Sequence, residues 1–289
     1  DETTILGVAQ GAALVGLLPV PEIPYLAYLH NAIDQIRGEA CSLQFFSDKR
    51  FANPMVVRIA GLAYQRGFGG HFPNDNSIGA LRDIPGIVLG VPTRADDAVT
   101  MLRTMTAVAH DHGKVCVSLE PSALYMQKDL HDASDGQWQF PYPAPAEVMP
   151  FGEGRVYDPG PDDQLTIVTY GNGVWMSLRV AQRLRKQGIK ARVFDLRWLM
   201  PLPIEQVKEH VRATGRCLIV DECRASSGGP SPMLLTELCQ DPSLQRCVLR
   251  RVAAQDSYVP LAAAANLVLV QEPDIEQAAQ EICEVEAAQ

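Results

Sequence analysis

Leu165-Thr-Ile-Val-Thr-Tyr-Gly171 decides the fold. A run of apolar and β-branched residues closed by glycine reads as a buried strand ending in a turn. Val174 to Gln187 follows with apolar residues at helical spacing and stops at Gly188. Ala191-Arg-Val-Phe-Asp-Leu196 returns as a strand, Ile204 to Thr214 as a helix ending near Gly215, and Cys217-Leu-Ile-Val-Asp-Glu222 as a further strand. Ser226-Ser-Gly-Gly229 leads into a helix from Ser231 to Cys239. Strands alternating with helices are joined by right-handed crossovers, so this half of the chain is expected to be a doubly wound parallel-sheet domain.

The same alternation occurs upstream. Pro54 to Ile59 reads as a strand, followed by the glycine-rich loop Gly67-Phe-Gly-Gly-His71. Ile87 to Val91 is a strand stopped by Pro92, Arg94 to His110 has helical spacing, and Val115 to Leu119 is a strand again. Between the halves, Asp132 to Asp163 is rich in proline, glycine and acidic residues and contains Pro141-Tyr-Pro-Ala-Pro145, the composition of a linker. The expected organisation is α/β: a first domain at 1–131, a linker at 132–163 and a second domain at 164–289.

Composition narrows the function classes. A chain of 289 residues with 47% apolar content buries a large core. Its formal charge of −9 is spread without basic runs, which argues against nucleic acid as a partner. No apolar run reaches the length of a membrane span, which argues against a membrane. The 7 cysteines are odd in number and lack a C-x-x-C spacing, as fits a reducing, cytoplasmic compartment where they pack as small hydrophobes. The 6 histidines show no ligand spacing, and His110 and His112 read as a helix end, so no metal site is expected. Neither Gly67-x-Gly69-Gly70 nor Gly171-x-Gly173 completes a dinucleotide fingerprint.

Glu2 is the candidate acid. Read alone, it is the solvated N-terminal carboxylate of a helix. Only one aspartate precedes it, and the small-residue stretch Ile5 to Gly16 follows, so the domain looks cut at its start.

Several stretches in the same order resemble one family. Thr166 to Gly171, Gln187-Gly-Ile-Lys-Ala-Arg-Val-Phe-Asp-Leu-Arg-Trp-Leu-Met-Pro-Leu-Pro203 and Thr214 to Glu222 are similar to the C-terminal domain of transketolase-like enzymes. Glu22 to Ile36, Gly69-Gly-His71, Ile84-Pro-Gly86 and Leu119-Glu-Pro-Ser-Ala-Leu-Tyr125 extend the likeness to the β subunit of 2-oxo acid dehydrogenase E1 components, over nearly the whole chain.

The resemblance implies thiamine diphosphate as cofactor. The family's glutamate before a small-residue helix and a Gly-Leu-x-Pro turn falls on Glu2, ahead of Gly16-Leu-Leu-Pro19. It would hydrogen-bond the cofactor's pyrimidine ring. Tyr28, or alternatively Tyr25, would place an aromatic ring against the aminopyrimidine, and His71 would donate a proton near the reacting carbon. A reading of the two tyrosines as core residues stays open. The reaction implied is decarboxylation of a 2-oxo acid with transfer of the acyl group to a lipoyl arm. The diphosphate and Mg2+ would be held mainly by an α-like part, since no Gly-Asp-Gly motif is present.

Departures matter. Phe72-Pro-Asn-Asp-Asn76 makes the segment after His71 longer than in ordinary β subunits, which puts that register in doubt, and the family's potassium site is not carried over to Asp111–Lys114. The family's opening strand and helix are missing, so the first domain is expected to be a partial pyrimidine-binding domain. The chain would then be a piece of a larger polypeptide or a β-type subunit without its start. Expected partners are the α-like part, a second copy paired through the small residues of a helix from Thr4 to Val15, and a lipoyl acyltransferase. The alternatives are ketol transfer, as in transketolase or deoxyxylulose phosphate synthase, and a non-catalytic docking or dimerisation module.

Overall fold

The structure, a computed structural model, describes residues 1–64, 72–226 and 228–285. The expected loop Gly67–His71 therefore lies outside the described residues, as does Ser227. The chain opens with α1 (Glu2–Leu14) and the short β1 (Glu22–Ile23). A 3-10 helix (Leu26–Ala32) and a π-helical stretch (Gln35–Ala40) lead to α2 (Leu43–Phe46) and β2 (Met55–Gly61). Then come α3 (Gly79–Arg82), β3 (Val88–Gly90), α4 (Ala95–His112) and β4 (Val115–Pro121). Strands β1, β2, β4 and β3 lie side by side, all parallel, with Met55 opposite Val115.

The second half supplies β5 (Arg155–Tyr157), β6 (Leu165–Thr169), α5 (Asn172–Lys186), β7 (Ala191–Asp195) and β8 (Trp198–Met200). It continues with α6 (Ile204–Thr214), β9 (Arg216–Arg224), α7 (Pro230–Gln240), β10 (Val248–Ala254) and α8 (Glu272–Glu284). The sheet order is β10-β9-β6-β7-β5, parallel except for β5. Because β6 leads to β7 on one side and the chain returns to β9 on the other, the strand order reverses between β6 and β9. That is the doubly wound topology read from Leu165 onward.

Two short strands change the expected boundaries. The stretch 132–163 is not only a linker, because β5 pairs antiparallel with β7. Gly154 permits the approach, since a Cβ there would run into the Phe194 ring and stand 2.8 Å from the Asp195 carbonyl. Strand β8 leaves the second sheet and pairs antiparallel with β3, Met200 opposite Leu89 and Trp198 opposite Gly90. The two halves are therefore joined by backbone pairing as well as by packing.

Apolar contacts run through both. One cluster extends from Leu6 of α1 through Ile59 and Leu119 to Val168, Leu196 and Leu234. Full burial of an aliphatic side chain of this size is worth about 1.5–3 kcal/mol, so separating the halves exposes a large fraction of what holds each one. No helix among the described residues is long and apolar enough to cross a membrane.

Candidate active site

Helix α1 begins at Glu2, two residues earlier than expected, because Asp1 caps it. The Asp1 carboxylate accepts from the Thr3 amide at 3.2 Å and from the Thr4 hydroxyl at 2.7 Å, satisfying a donor that a helix start leaves unpaired. Glu2 then occupies the first turn, half-buried, where the helix dipole favours a carboxylate. Its side chain has no hydrogen-bond or ion-pair partner among the described residues.

The Thr3 hydroxyl donates to the Asn31 carbonyl at 2.8 Å, which pins this turn to the end of the 3-10 helix. Tyr25 precedes that helix in extended backbone, φ −144° and ψ 143°. One turn on, the Tyr28 amide donates to the Tyr25 carbonyl at 2.9 Å. The two rings stand 5.7 Å apart, and the Tyr28 ring lies 5.1 Å from that of Phe72. Tyr25, Tyr28 and Phe72 thus form a row of partly exposed aromatic rings, Tyr28 on the 3-10 helix, Tyr25 just before it and Phe72 packed against it from a distant turn. His71, the residue before Phe72, lies outside the described residues. Phe72 is not among the expected site residues; its place next to the candidate histidine is the signal that could have found it.

A second polar group lies where the halves meet, and the sequence reading does not single it out. The Glu222 side chain is fully buried at the end of β9. Its Oε2 accepts from Asn172 Nδ2 at 2.9 Å and its Oε1 from the Gly173 amide at 3.4 Å. Burial pushes its carboxyl up to about 8, against the pull of those hydrogen bonds. The same Asn172 Nδ2 donates to the Leu62 carbonyl of the first half at 2.8 Å, and Asn76 Nδ2 donates to the Glu222 carbonyl at 2.8 Å. Gly171 at φ +54° makes room, because a Cβ there would stand 2.5 Å from Glu222 Oε1. Next to it, Asp221 accepts from the Tyr170 hydroxyl at 2.7 Å and from the Cys223 and Ser231 amides at 2.9 and 3.0 Å. These acids fasten the junction.

Among the described residues, no group of three or more His, Cys, Asp or Glu could hold a metal ion. A half-buried carboxylate whose helix turn is tied through Thr3 to the 3-10 helix next to these aromatic rings suits an aromatic nitrogen heterocycle. It does not suit a diphosphate.

Residues 152–275 match the family described as "Transketolase, C-terminal domain". The pyruvate dehydrogenase E1 component subunit beta of Bacillus subtilis is 30% identical, across 98% of this chain and 82% of that protein. The 2-oxoisovalerate dehydrogenase subunit beta of the same organism is 32% identical across 76% of this chain, which spans 62% of that relative's length. A solved structure titled "Split gene transketolase, inactive beta4 tetramer" superposes with a TM-score of 0.75 over 98% of this chain and 81% of that one, at 21% identity, and so shares the fold. With the relatives matching along its length, the chain belongs to the family of 2-oxo acid dehydrogenase E1 component β subunits.

Proposed function

We propose that this chain forms the β-type half of a thiamine diphosphate-dependent 2-oxo acid dehydrogenase E1, which decarboxylates a 2-oxo acid and passes the acyl group to a lipoyl arm. The observation that carries the reading is the Glu2 side chain, without a partner among the described residues in the first turn of α1, pinned through Thr3 to the 3-10 helix that carries Tyr28 next to Tyr25 and Phe72.

When bound, thiamine diphosphate supplies the carbon nucleophile and the electron sink for decarboxylation. Glu2 holds a proton at the pyrimidine nitrogen. Tyr28, flanked by Tyr25 and Phe72, provides the aromatic wall that orients that ring. His71 donates a proton near the reacting carbon. Mg2+ and the diphosphate fall to an α-like part.

The outer face of α1 supports pairing with a second copy, because Val8, Leu14 and Val15 are 68%, 55% and 79% exposed. A lipoyl acyltransferase and a cytoplasmic location complete the reading. Ketol transfer is not favoured, because the relatives matching most of the chain are named as E1 β subunits and the transketolase likeness is one of fold. A docking-only module leaves the lone Glu2 carboxylate without a purpose.

Calorimetry with thiamine diphosphate and Mg2+ tests the proposal. Binding is expected only after the chain is joined to an α-type partner, and in that assembly Glu2→Gln lowers turnover by about 10²–10⁴-fold. Unchanged turnover removes Glu2 from the chemistry, and absence of binding in both forms removes the thiamine reading.

A further inference from the structure

A cavity of about 400 Å³ opens between the first half and the end of β9. Phe72 belongs both to its wall and to the aromatic row, with its ring 5.1 Å from that of Tyr28. His30, Asp75, Asn76 and Ser77 of the first half line it together with Arg224 and Tyr258 of the second. Among the described residues, its aliphatic lining is confined to Ala27 and Val259. His30 rides on the 3-10 helix that carries Tyr28, one turn beyond Ala27. These groups are within reach of a ligand, because the His30 and Asp75 side chains are 50% and 19% exposed and Tyr258 is 84% exposed.

Hydrogen bonding within the wall leaves particular atoms over. The Ser77 hydroxyl donates its only hydrogen to Asp75 Oδ2, so its oxygen accepts from His30 Nε2, 2.9 Å away. That sets the tautomer of a neutral His30 and leaves its Nδ1 as an acceptor. His30 Nδ1, Asp75 Oδ1 and the Tyr258 hydroxyl have no partner among the described residues.

Charge selects among polar ligands. Asp75 is the fixed anion of this wall and Arg224 its fixed cation, while the adjoining groove along Arg224 and Tyr258 adds a second acid, Asp256. Helix α3 begins beyond Ser77 but has only 4 residues, whose peptide dipoles sum to little against these acids. A chain ending in a carboxylate would gain Arg224 but face Asp75 and Asp256. An aliphatic chain would desolvate the wall and return no hydrogen bond. A hydroxyl both donates and accepts, so a hydroxylated chain serves Asp75 Oδ1, His30 Nδ1 and Arg224 together without adding charge.

We propose that this cavity receives the substrate's side chain, and that the substrate is a 2-oxo acid carrying several hydroxyl groups on that chain. The proposal rests on the E1 reading above and names its substrate class. A methyl side chain, as in pyruvate, would leave most of the cavity unfilled. A site that hydrogen-bonds a substrate hydroxyl rejects analogues lacking it, because its own polar groups are then left unpaired.

The test is calorimetric titration of the full chain, without cofactor, with 2-keto-3-deoxygluconate, 2-oxoglutarate and 3-methyl-2-oxobutanoate. The hydroxylated acid is expected to bind at least about tenfold more tightly than either of the others. Tyr258→Phe, at an exposed residue, retains the fold and weakens the hydroxylated acid by about three- to tenfold. Asp75→Asn removes the charge that repels a terminal carboxylate, so 2-oxoglutarate binds about tenfold more tightly than to wild type while the hydroxylated acid binds less tightly. A purely structural Asp75 would weaken all three acids alike. The proposal is overturned if the hydroxylated acid binds no more tightly than 3-methyl-2-oxobutanoate, or if Asp75→Asn leaves the ratio between the hydroxylated acid and 2-oxoglutarate unchanged. Failure of the E1 reading is seen separately, as no turnover of any of the three acids once the chain is joined to an α-type partner and supplied with thiamine diphosphate and Mg2+.

Discussion

Glu222 and Glu2 carry the same side chain to opposite ends. Glu2 sits half-buried with no partner among the described residues, available to a ligand, whereas Glu222 is sealed between two amides. Burial raises the Glu222 carboxyl from 4.5 to about 8, so between those values the folded state holds a proton that the unfolded state has lost. Its contribution to stability is therefore greatest below about pH 4.5, declines as pH rises toward about 8, and then levels off, at most about 1.4 kcal/mol per pH unit. Asp195, raised to about 7 by burial, acts in the same direction. Glu222→Gln cannot ionise, and its single amide oxygen accepts from Asn172 or from Gly173 but not from both, so the comparison rests on the slope with pH and not on the absolute melting temperature. Melting curves from pH 5 to 9 are expected to show wild type losing stability relative to the variant as pH rises; parallel curves would mean that Glu222 is ionised throughout. At this scale Glu2, Tyr25 and Tyr28 can be picked out of the sequence as candidates because they depend on spacing along one short stretch. Glu222 cannot, because the Leu62 carbonyl that meets its partner Asn172 is 110 positions away from that asparagine.

Elements with their own periodicity are the most readable. The helix expected over Ile204–Thr214 has the bounds that α6 adopts, and β6, α5, β7 and β9 follow the order read from Leu165 onward. Strands β5 and β8 are invisible in the sequence because three residues carry no period, and each is a strand only by virtue of a partner elsewhere. The stripe of small residues expected on α1 is divided by the structure. Ala9 and Ala13 face inward and are 5% and 6% exposed, while a Cβ at Gly7 or Gly11 would meet nothing within 4 Å. A side chain at Gly11 is therefore tolerated by the isolated chain, and replacing a helical glycine is worth roughly 0.5–1 kcal/mol. Gly11→Leu is expected to keep or raise the melting temperature of the chain alone while lowering its self-association, measured by sedimentation. An unaltered association constant would place the second copy on another surface.

For the molecule as a whole, the question is what makes two sheets unfold as one. Strand β8 carries part of the answer, since it belongs in sequence to the second half and in pairing to the first. Arg82 of α3 carries another. Its Nη1 donates to the Gly228 carbonyl at 2.7 Å and to that of Gly229, and its Nε reaches the Leu199 carbonyl at 3.5 Å. Gly79 of the same helix approaches Gly228 so closely that a Cβ would stand 3.0 Å from its backbone. Burial lowers the Arg82 pKa, yet the guanidinium stays charged, and a charged donor shared among backbone carbonyls is worth about 1.5–3 kcal/mol per strong bond. Arg82→Met keeps the aliphatic stem but leaves those carbonyls without their donor. The second sheet has its own core around Ile167, Val193 and Leu218, so loosening the junction need not unfold it. Calorimetric unfolding of the wild type is expected as one transition, and Arg82→Met as two, with the first displaced downward. One transition at a lower temperature would instead show that β8 and the shared apolar cluster are sufficient to couple the halves.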